Sequence, residues 1–235
     1  MDLLYLDDAY LRSAEAEVEA VDAARGLARF SRSVVYPGGG GQPRDEGRFS
    51  ADGASYAIAG AVKEGDEVWY SFEGPLPREG ARGLLEIDWD RRYALMRTHS
   101  LMHVLCGLVW NEYGKAVTGG NMEPLRARMD FDFPELDLTV LARLEELARA
   151  EIAAARPIRV SWLGRDADLS GLIRTKTNLV PEGLGRIRLV EIEGLDRQAD
   201  GGTHVARTDE IGAARLVGLE NKGKGNKRIR VELEP

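Results

Sequence analysis

With a single cysteine, Cys106, in 235 residues, neither a disulfide framework nor a zinc finger built from thiolates alone is available to this chain, and a reducing compartment suits it. No apolar run approaches the ~20 residues a membrane-spanning helix requires. The opening MDLLYLDDAYLRS has neither the basic start nor the small-residue cleavage site of a signal peptide. A soluble, cytoplasmic protein is therefore expected. Positive charge is also short: 32 Lys and Arg against 39 Asp and Glu leave a net −7, which argues against a protein that grips nucleic acid over its whole surface. Internal repeats and low-complexity tracts are absent. What remains is a chain 43% hydrophobic, long enough for one large domain or two small ones with real cores.

Two regimes follow one another along the chain. Residues 15–88 read as β-rich, with short alternating stretches at 18–21, 27–35, 56–62 and 68–72 separated by Gly, Asp and Pro, the pattern of a small barrel or sandwich. The stretch Gly74-Pro75-Leu76-Pro77-Arg78-Glu79-Gly80 has the composition of a linker or wide turn. From Asp88 the period becomes helical: Leu95, Met96, Leu101, Met102, Leu105, Leu108 and Val109 recur at three- and four-residue intervals, with Asp88 or Asp90 as cap and Gly114 as stop. Strand patterns at 115–122 and 126–131 meet at Glu123-Pro124, and a second amphipathic helix at 136–155 has Asp137 as cap and Pro157 as stop. Further strands are expected at 157–163, 185–192, 213–219 and 227–233. The fold class is α+β: a small glycine-rich β-barrel over residues 1–87, then a domain over 88–235 in which two main helices lie against a mostly antiparallel sheet.

The chain has three histidines, and two of them, His99 and His103, stand four apart inside the first helix. That spacing sets both imidazoles on one face with Cβ atoms roughly 6 Å apart, suited to one ion. Such pairs are also common as ordinary hydrogen-bonded helix residues. The third, His204, ends Asp200-Gly201-Gly202-Thr203-His204, a glycine turn of the kind that presents ligands to a pocket. With every histidine in one of these two settings, a metal is the expectation. Imidazole nitrogens with at most one carboxylate oxygen favour zinc over magnesium or calcium. Three ligands leave a position for water, whose pKa zinc lowers to about 7, so the site is hydrolytic. Asp200 is a fourth ligand, or it orients the water and accepts its proton.

Three weaker signals accompany the histidines. Tyr36-Pro37-Gly38-Gly39-Gly40-Gly41-Gln42-Pro43 leaves bare backbone whose N–H groups can approach a carboxylate, carbonyl or phosphate, with Ser33 and Gln42 as polar groups able to face an amino acid held at the metal. Gly119-Gly120 ends the strand after the histidine helix, as a bulge or tight turn whose amides can meet the terminal ribose or carbonyl of a substrate. Lys222, Lys224, Lys227, Arg228 and Arg230 fall within nine residues that contain no acid. That run reads either as a solvated hairpin or as a local patch for an anionic partner recognised at one end.

Taken in order, Val35-Tyr36-Pro37-Gly38-Gly39-Gly40-Gly41-Gln42-Pro43, then Ile87-Asp88-Trp89-Asp90-Arg91-Arg92 running into Met96-Arg97-Thr98-His99-Ser100-Leu101-Met102-His103, and finally Gly201-Gly202-Thr203-His204-Val205 resemble the AlaX family of alanyl-tRNA editing proteins. These are stand-alone relatives of the editing domain of alanyl-tRNA synthetase, and the similarity runs from about Ser31 to the C-terminus. The resemblance implies a glycine-rich barrel followed by a zinc-bearing domain that hydrolyses the ester of Ser-tRNA(Ala), and of Gly-tRNA(Ala), with no nucleotide cofactor. Carried over by position, His99, His103 and His204 are zinc ligands and Ser33 recognises the serine hydroxyl. Gly119-Gly120 falls at a small-residue turn near the substrate. Many members have Cys where this chain has Asp200, so the zinc shell is harder here or has lost a ligand.

A hydroxyl-binding group, Ser33 or Thr203, would spare Ala-tRNA because it would be left unpaired there. Lys222, Lys224 and Lys227 are the candidates for holding the tRNA. Two rivals stand beside this reading: deacylation of another mischarged tRNA such as Ser-tRNA(Thr), since threonyl-tRNA synthetase carries a related histidine-pair domain, and a tRNA-binding protein whose metal is structural or lost. The oligomeric state is not legible.

Overall fold

The computed structural model describes residues 1–177, 185–223 and 225–235. It divides into two compact units, Met1–Gly39 with Pro43–Tyr93, and Gly40–Gln42 with Ala94–Pro235.

In the first unit, β1 (Asp2–Leu3) pairs in parallel with β4 (Arg32–Ser33). The strands β2 (Ser13–Asp22), β3 (Leu27–Phe30), β5 (Gly47–Ala51), β6 (Ala54–Glu64), β7 (Glu67–Phe72) and β8 (Arg82–Ile87) close an antiparallel barrel in the order β2-β3-β7-β6-β5-β8. Alternation along each strand turns Val18, Phe30, Phe49, Tyr70 and Leu85 fully inward, and the Phe30 and Phe49 rings meet at 4.9 Å. These side chains fill a barrel of this size, which has no open lumen. The β5–β6 connection is Asp52-Gly53, both at positive φ, the two-residue turn that matches strand twist. The proline-glycine stretch at 74–80 is the wide connection from β7 to β8.

The first unit also contains a charge pair with no solvent exposure at either side chain, Arg92 with Asp45. Arg92 Nε donates to Asp45 Oδ1 at 2.9 Å, and its other nitrogens donate to the carbonyls of Ala9 and Val34. Asp45 in turn closes the glycine run: its Oδ2 accepts from Tyr36 N at 2.7 Å, and its N–H donates to Tyr36 O at 3.0 Å. Gly38, Gly39, Gly40 and Gly41 all lie at positive φ, so the loop between Tyr36 and Asp45 uses backbone that only glycine adopts cheaply.

The helix α1 (Trp89–Tyr113) starts in the first unit, where Asp88 Oδ1 caps it by accepting from Arg91 N at 3.0 Å. Residues 98–109 of α1 are buried on every side rather than along one stripe, which makes this a central helix. The second unit adds β9 (Val117–Glu123), β10 (Arg126–Asp132), α2 (Leu138–Ala153), β11 (Ile158–Gly164), β12 (Arg186–Ile192), β13 (Asp196–Ala199), β14 (Ala214–Asn221) and β15 (Asn226–Leu233). These form two antiparallel sheets, ordered β14-β15-β10-β9 and β11-β12-β13. Asp137 caps α2 by accepting from Thr139 N and Val140 N, and α2 buries Leu141, Leu144 and Ala148. Among the described residues no helix is long and apolar enough to cross a membrane.

Candidate metal centre

Four side chains of the second unit converge. His99 and His103 project from α1, and Asp200 and His204 from the loop after β13, with all four ligand atoms within 4.8 Å of one another. Ring centroids lie 4.8 Å apart for His99 and His103, and 4.3 Å for each of these with His204. The Nε2 atoms face one carboxylate: His99 and His103 stand 3.8 and 3.9 Å from Asp200 Oδ1, and His204 stands 3.1 Å from Oδ2. Ligands set tetrahedrally about 2.0–2.1 Å from a zinc-sized ion are about 3.3–3.4 Å from one another. The separations of 3.1, 3.8 and 3.9 Å to Asp200 straddle that spacing, and the 4.8 Å limit on the four atoms allows a cage somewhat wider than a closed zinc shell.

Burial governs the electrostatics. It pushes the His99 imidazole down to about 3, helped by the neighbouring His204, and lowers His103 and His204 as well. Burial works against the Asp200 carboxylate, but His99, the hydrogen bond with His204, and His103 outweigh it and hold the carboxyl well below its usual range. At neutral pH the cage is therefore three uncharged imidazoles around one anion, a donor set that accepts a divalent cation without first losing protons. Cys106, also on α1, is not in this group, and burial pushes its thiol up to about 12.

A second layer of groups aims the ligands. Gln42 Oε1 accepts from the backbone N–H of Thr203 at 3.0 Å, which identifies that atom as the oxygen, because an amide nitrogen cannot accept. His99 Nδ1 lies 2.9 Å from the same oxygen and must donate to it, so the neutral ring presents its Nε2 lone pair to the cage. Gln42 Nε2 donates to Thr203 Oγ1 at 2.8 Å. The turn carrying Asp200 is clamped by buried Arg188 of β12, whose Nη1 donates to the carbonyls of Asp200 and Gly202 at 3.1 and 2.9 Å. Asp200 Oδ2 accepts from Gly202 N at 2.6 Å, which leaves Oδ1 turned towards His99 and His103.

Gly202 has a steric reason to be glycine. A Cβ there would sit 2.6 Å from His99 Nδ1 and 2.7 Å from Gln42 Oε1, whereas one on Gly201 meets nothing within 4 Å. Gly202→Ala is expected to lower metal affinity about 10- to 100-fold by displacing His99, while Gly201→Ala binds as the wild type does. Calorimetric titration of both variants with zinc checks this.

The structure thus brings together His99, His103, His204, Asp200, Thr203 and Gln42. Gly119 and Gly120 lie on β9, an edge strand. A Cβ on Gly120 would lie 3.1 Å from Met102 Cε of α1, and Met122 N donates to Gly41 O, so Gly41 lies along that edge. Ser33 is a residue of the first unit, fully buried, with its hydroxyl 2.8 Å from Tyr70 OH and accepting from Val35 N. Lys222 is exposed and Lys227 half-buried at the β14–β15 hairpin, and Lys224 lies outside the described residues. The neighbouring arginines are neutralised across the sheet, Arg228 by Asp130 and Arg230 by Glu220. Sequence reasoning missed two participants. Arg188 is signalled only by its place inside the apolar run of β12, and Ser100, adjacent to His99, has its Oγ 3.3 Å from His204 Nδ1.

The family described as the second additional domain of threonyl and alanyl tRNA synthetases matches residues 187–230, a stretch that includes Arg188, Asp200 and His204. The chain is 33% identical over 236 residues to an alanyl-tRNA editing protein AlaX-M of Methanosarcina barkeri, covering 97% of each. It is 32% identical over 244 residues to one of Saccharolobus solfataricus, covering 99% of this chain and 98% of that protein. An alanine–tRNA ligase of Korarchaeum cryptofilum is 36% identical over 224 residues, matching 91% of this chain but 24% of the ligase.

Proposed function

Because the chain belongs to the AlaX-M family of alanyl-tRNA editing proteins, we propose that it is a zinc-dependent hydrolase that removes serine, and as a second substrate glycine, from mischarged tRNA(Ala). The observation that carries this reading is the convergence of three imidazole Nε2 atoms on the Asp200 carboxylate. A donor set of three imidazoles and one carboxylate fits zinc and is too rich in nitrogen for magnesium or calcium. His99, His103 and His204 would hold the ion. When bound, zinc supplies Lewis-acid polarisation and lowers the pKa of an attacking water to about 7.

The chain's own groups do the rest. Asp200 Oδ1, unclaimed by the backbone bond that occupies Oδ2, completes the cage or accepts the proton of the attacking water. Thr203 Oγ1 accepts from Gln42, which leaves its hydroxyl proton to donate to the hydroxyl of a seryl ester. An alanyl ester offers no such partner, and the difference gives the discrimination that a pocket sorting by size cannot. Gln42 acts here through His99 and Thr203 rather than on the substrate alone. Ser33 is kept as a candidate for the same hydroxyl, on the resemblance of the sequence around it to the AlaX family. We assign Gly119 and Gly120 to the ester carbonyl or terminal ribose, on the strength of their place on β9, the last strand of its sheet. Lys222, Lys224 and Lys227 are assigned to the tRNA. The division at residues 87 and 88 into a barrel module and an editing module belongs to the same reading.

Deacylation of a tRNA panel tests it. The expected result is zinc-dependent, chelator-sensitive release of serine from Ser-tRNA(Ala), slower release from Gly-tRNA(Ala), and no turnover of Ala-tRNA(Ala) or Ser-tRNA(Thr). Tight tRNA binding without turnover would make the protein a binder, and preference for Ser-tRNA(Thr) would move it to the threonine type.

A further inference from the structure

Ser100 occupies the same helix as two of the ligands. It follows His99 directly and precedes His103 by three residues, so α1 presents Ser100 and His103 on a shared face. The side chain is fully buried. Its Oγ lies 3.3 Å from His204 Nδ1 and accepts the backbone N–H of Val205 at 3.1 Å. His204 is thereby gripped at both nitrogens, with Nε2 at 3.1 Å from Asp200 Oδ2. Among the described residues no other group is hydrogen-bonded to Nδ1.

We propose that Ser100 is the positioning residue for His204, holding the third imidazole in the orientation that turns Nε2 into the cage. The proposal rests on the metal reading above. A hydroxyl suits the task because it both donates and accepts. With Val205 on one lone pair, the Ser100 proton can go to Nδ1 while Nε2 keeps its own proton beside Asp200. When Nδ1 carries the proton and Nε2 turns its lone pair on a cation, the second lone pair of Ser100 accepts. The ring then keeps its place through the change of tautomer that ligation demands. Alanine serves neither tautomer and leaves Nδ1 and the Val205 N–H buried without a partner.

Thr98 provides the comparison. It too is fully buried on α1, donating to Ala94 O at 2.7 Å and accepting from Leu125 N at 2.9 Å, but its hydroxyl bonds no histidine. Ser100→Ala and Thr98→Ala each remove a buried hydroxyl that pins a distant backbone N–H. Zinc affinity measured against a competing chelator should fall about 10- to 100-fold in Ser100→Ala and stay at the wild-type value in Thr98→Ala, with thermal unfolding followed in parallel. In the metal-free proteins, the ring-nitrogen resonances of His204 should move in Ser100→Ala while those of His99, held by Gln42, stay put. Wild-type affinity in Ser100→Ala, equal losses in both variants, or an unmoved His204 spectrum would overturn the role of Ser100. A wild-type chain that takes up no zinc would overturn the metal reading, and the metal-free spectra would still decide the hydrogen bond.

Discussion

Replacing His103 by alanine should weaken zinc binding and deacylation together. The residue is 7% exposed, its ring touches both other imidazoles, and its Nε2 faces Asp200 Oδ1 at 3.9 Å, so no neighbour can move into its place without unmaking another bond. Zinc sites of four ligands are worth roughly 10–16 kcal/mol, so one ligand accounts for about 3 kcal/mol, or about a hundredfold in affinity. The rate should fall further, on the order of 10³-fold, because the ion that remains is held in the wrong geometry. The metal-free fold should survive, since the variant removes a ring that burial already keeps uncharged. Zinc per chain by mass spectrometry and release of serine from Ser-tRNA(Ala) check the two losses. Added zinc should raise the melting temperature of the variant by less than that of the wild type at the same concentration.

Asp45→Ala should be the most destabilising single change in the first unit. It leaves the Arg92 guanidinium fully buried without its counter-charge and frees the Tyr36 N–H as well. Breaking one side of such a pair costs about 3–5 kcal/mol, a large share of the roughly 5–15 kcal/mol that holds a domain folded. Removing both charges is a different matter, because an apolar pair of similar volume has no desolvation to offset. Asp45→Leu with Arg92→Met should therefore recover most of the loss. Urea denaturation of the full chain compares the three proteins. A single variant as stable as the wild type would mean that the pair contributes nothing.

The centre was legible where its signals are local. A spacing of four on an apolar period identifies His99 and His103 as neighbours, and a double glycine before His204 marks a turn that presents side chains. What brings the two parts together is not local. Arg188 draws the Asp200 and Gly202 carbonyls towards β12, and Gln42 reaches His99 from fifty-seven positions away in the chain. No window of sequence contains these bonds. Strand β5 escaped notice because it opens on Gly47 and has Phe49 as its one large inward residue, and β8 because Gly83 interrupts it. Both glycines allow close backbone approach, as a Cβ on Gly83 would lie 2.8 Å from that of Ala51. The pairing within the basic run is hidden from the sequence for a related reason. Its arginines meet acids on β10 and β14, which a count along β15 cannot see.

Zinc K-edge X-ray absorption on the loaded protein tests the central claim most directly. Three imidazoles and one oxygen around a single ion per chain should give a first shell of nitrogen and oxygen at about 2.0–2.1 Å, no sulfur at about 2.3 Å, and outer-shell scattering from three rings that drops to two in His204→Ala. A shell with fewer than three imidazoles in the wild type, or one that His204→Ala leaves unchanged, would contradict the account.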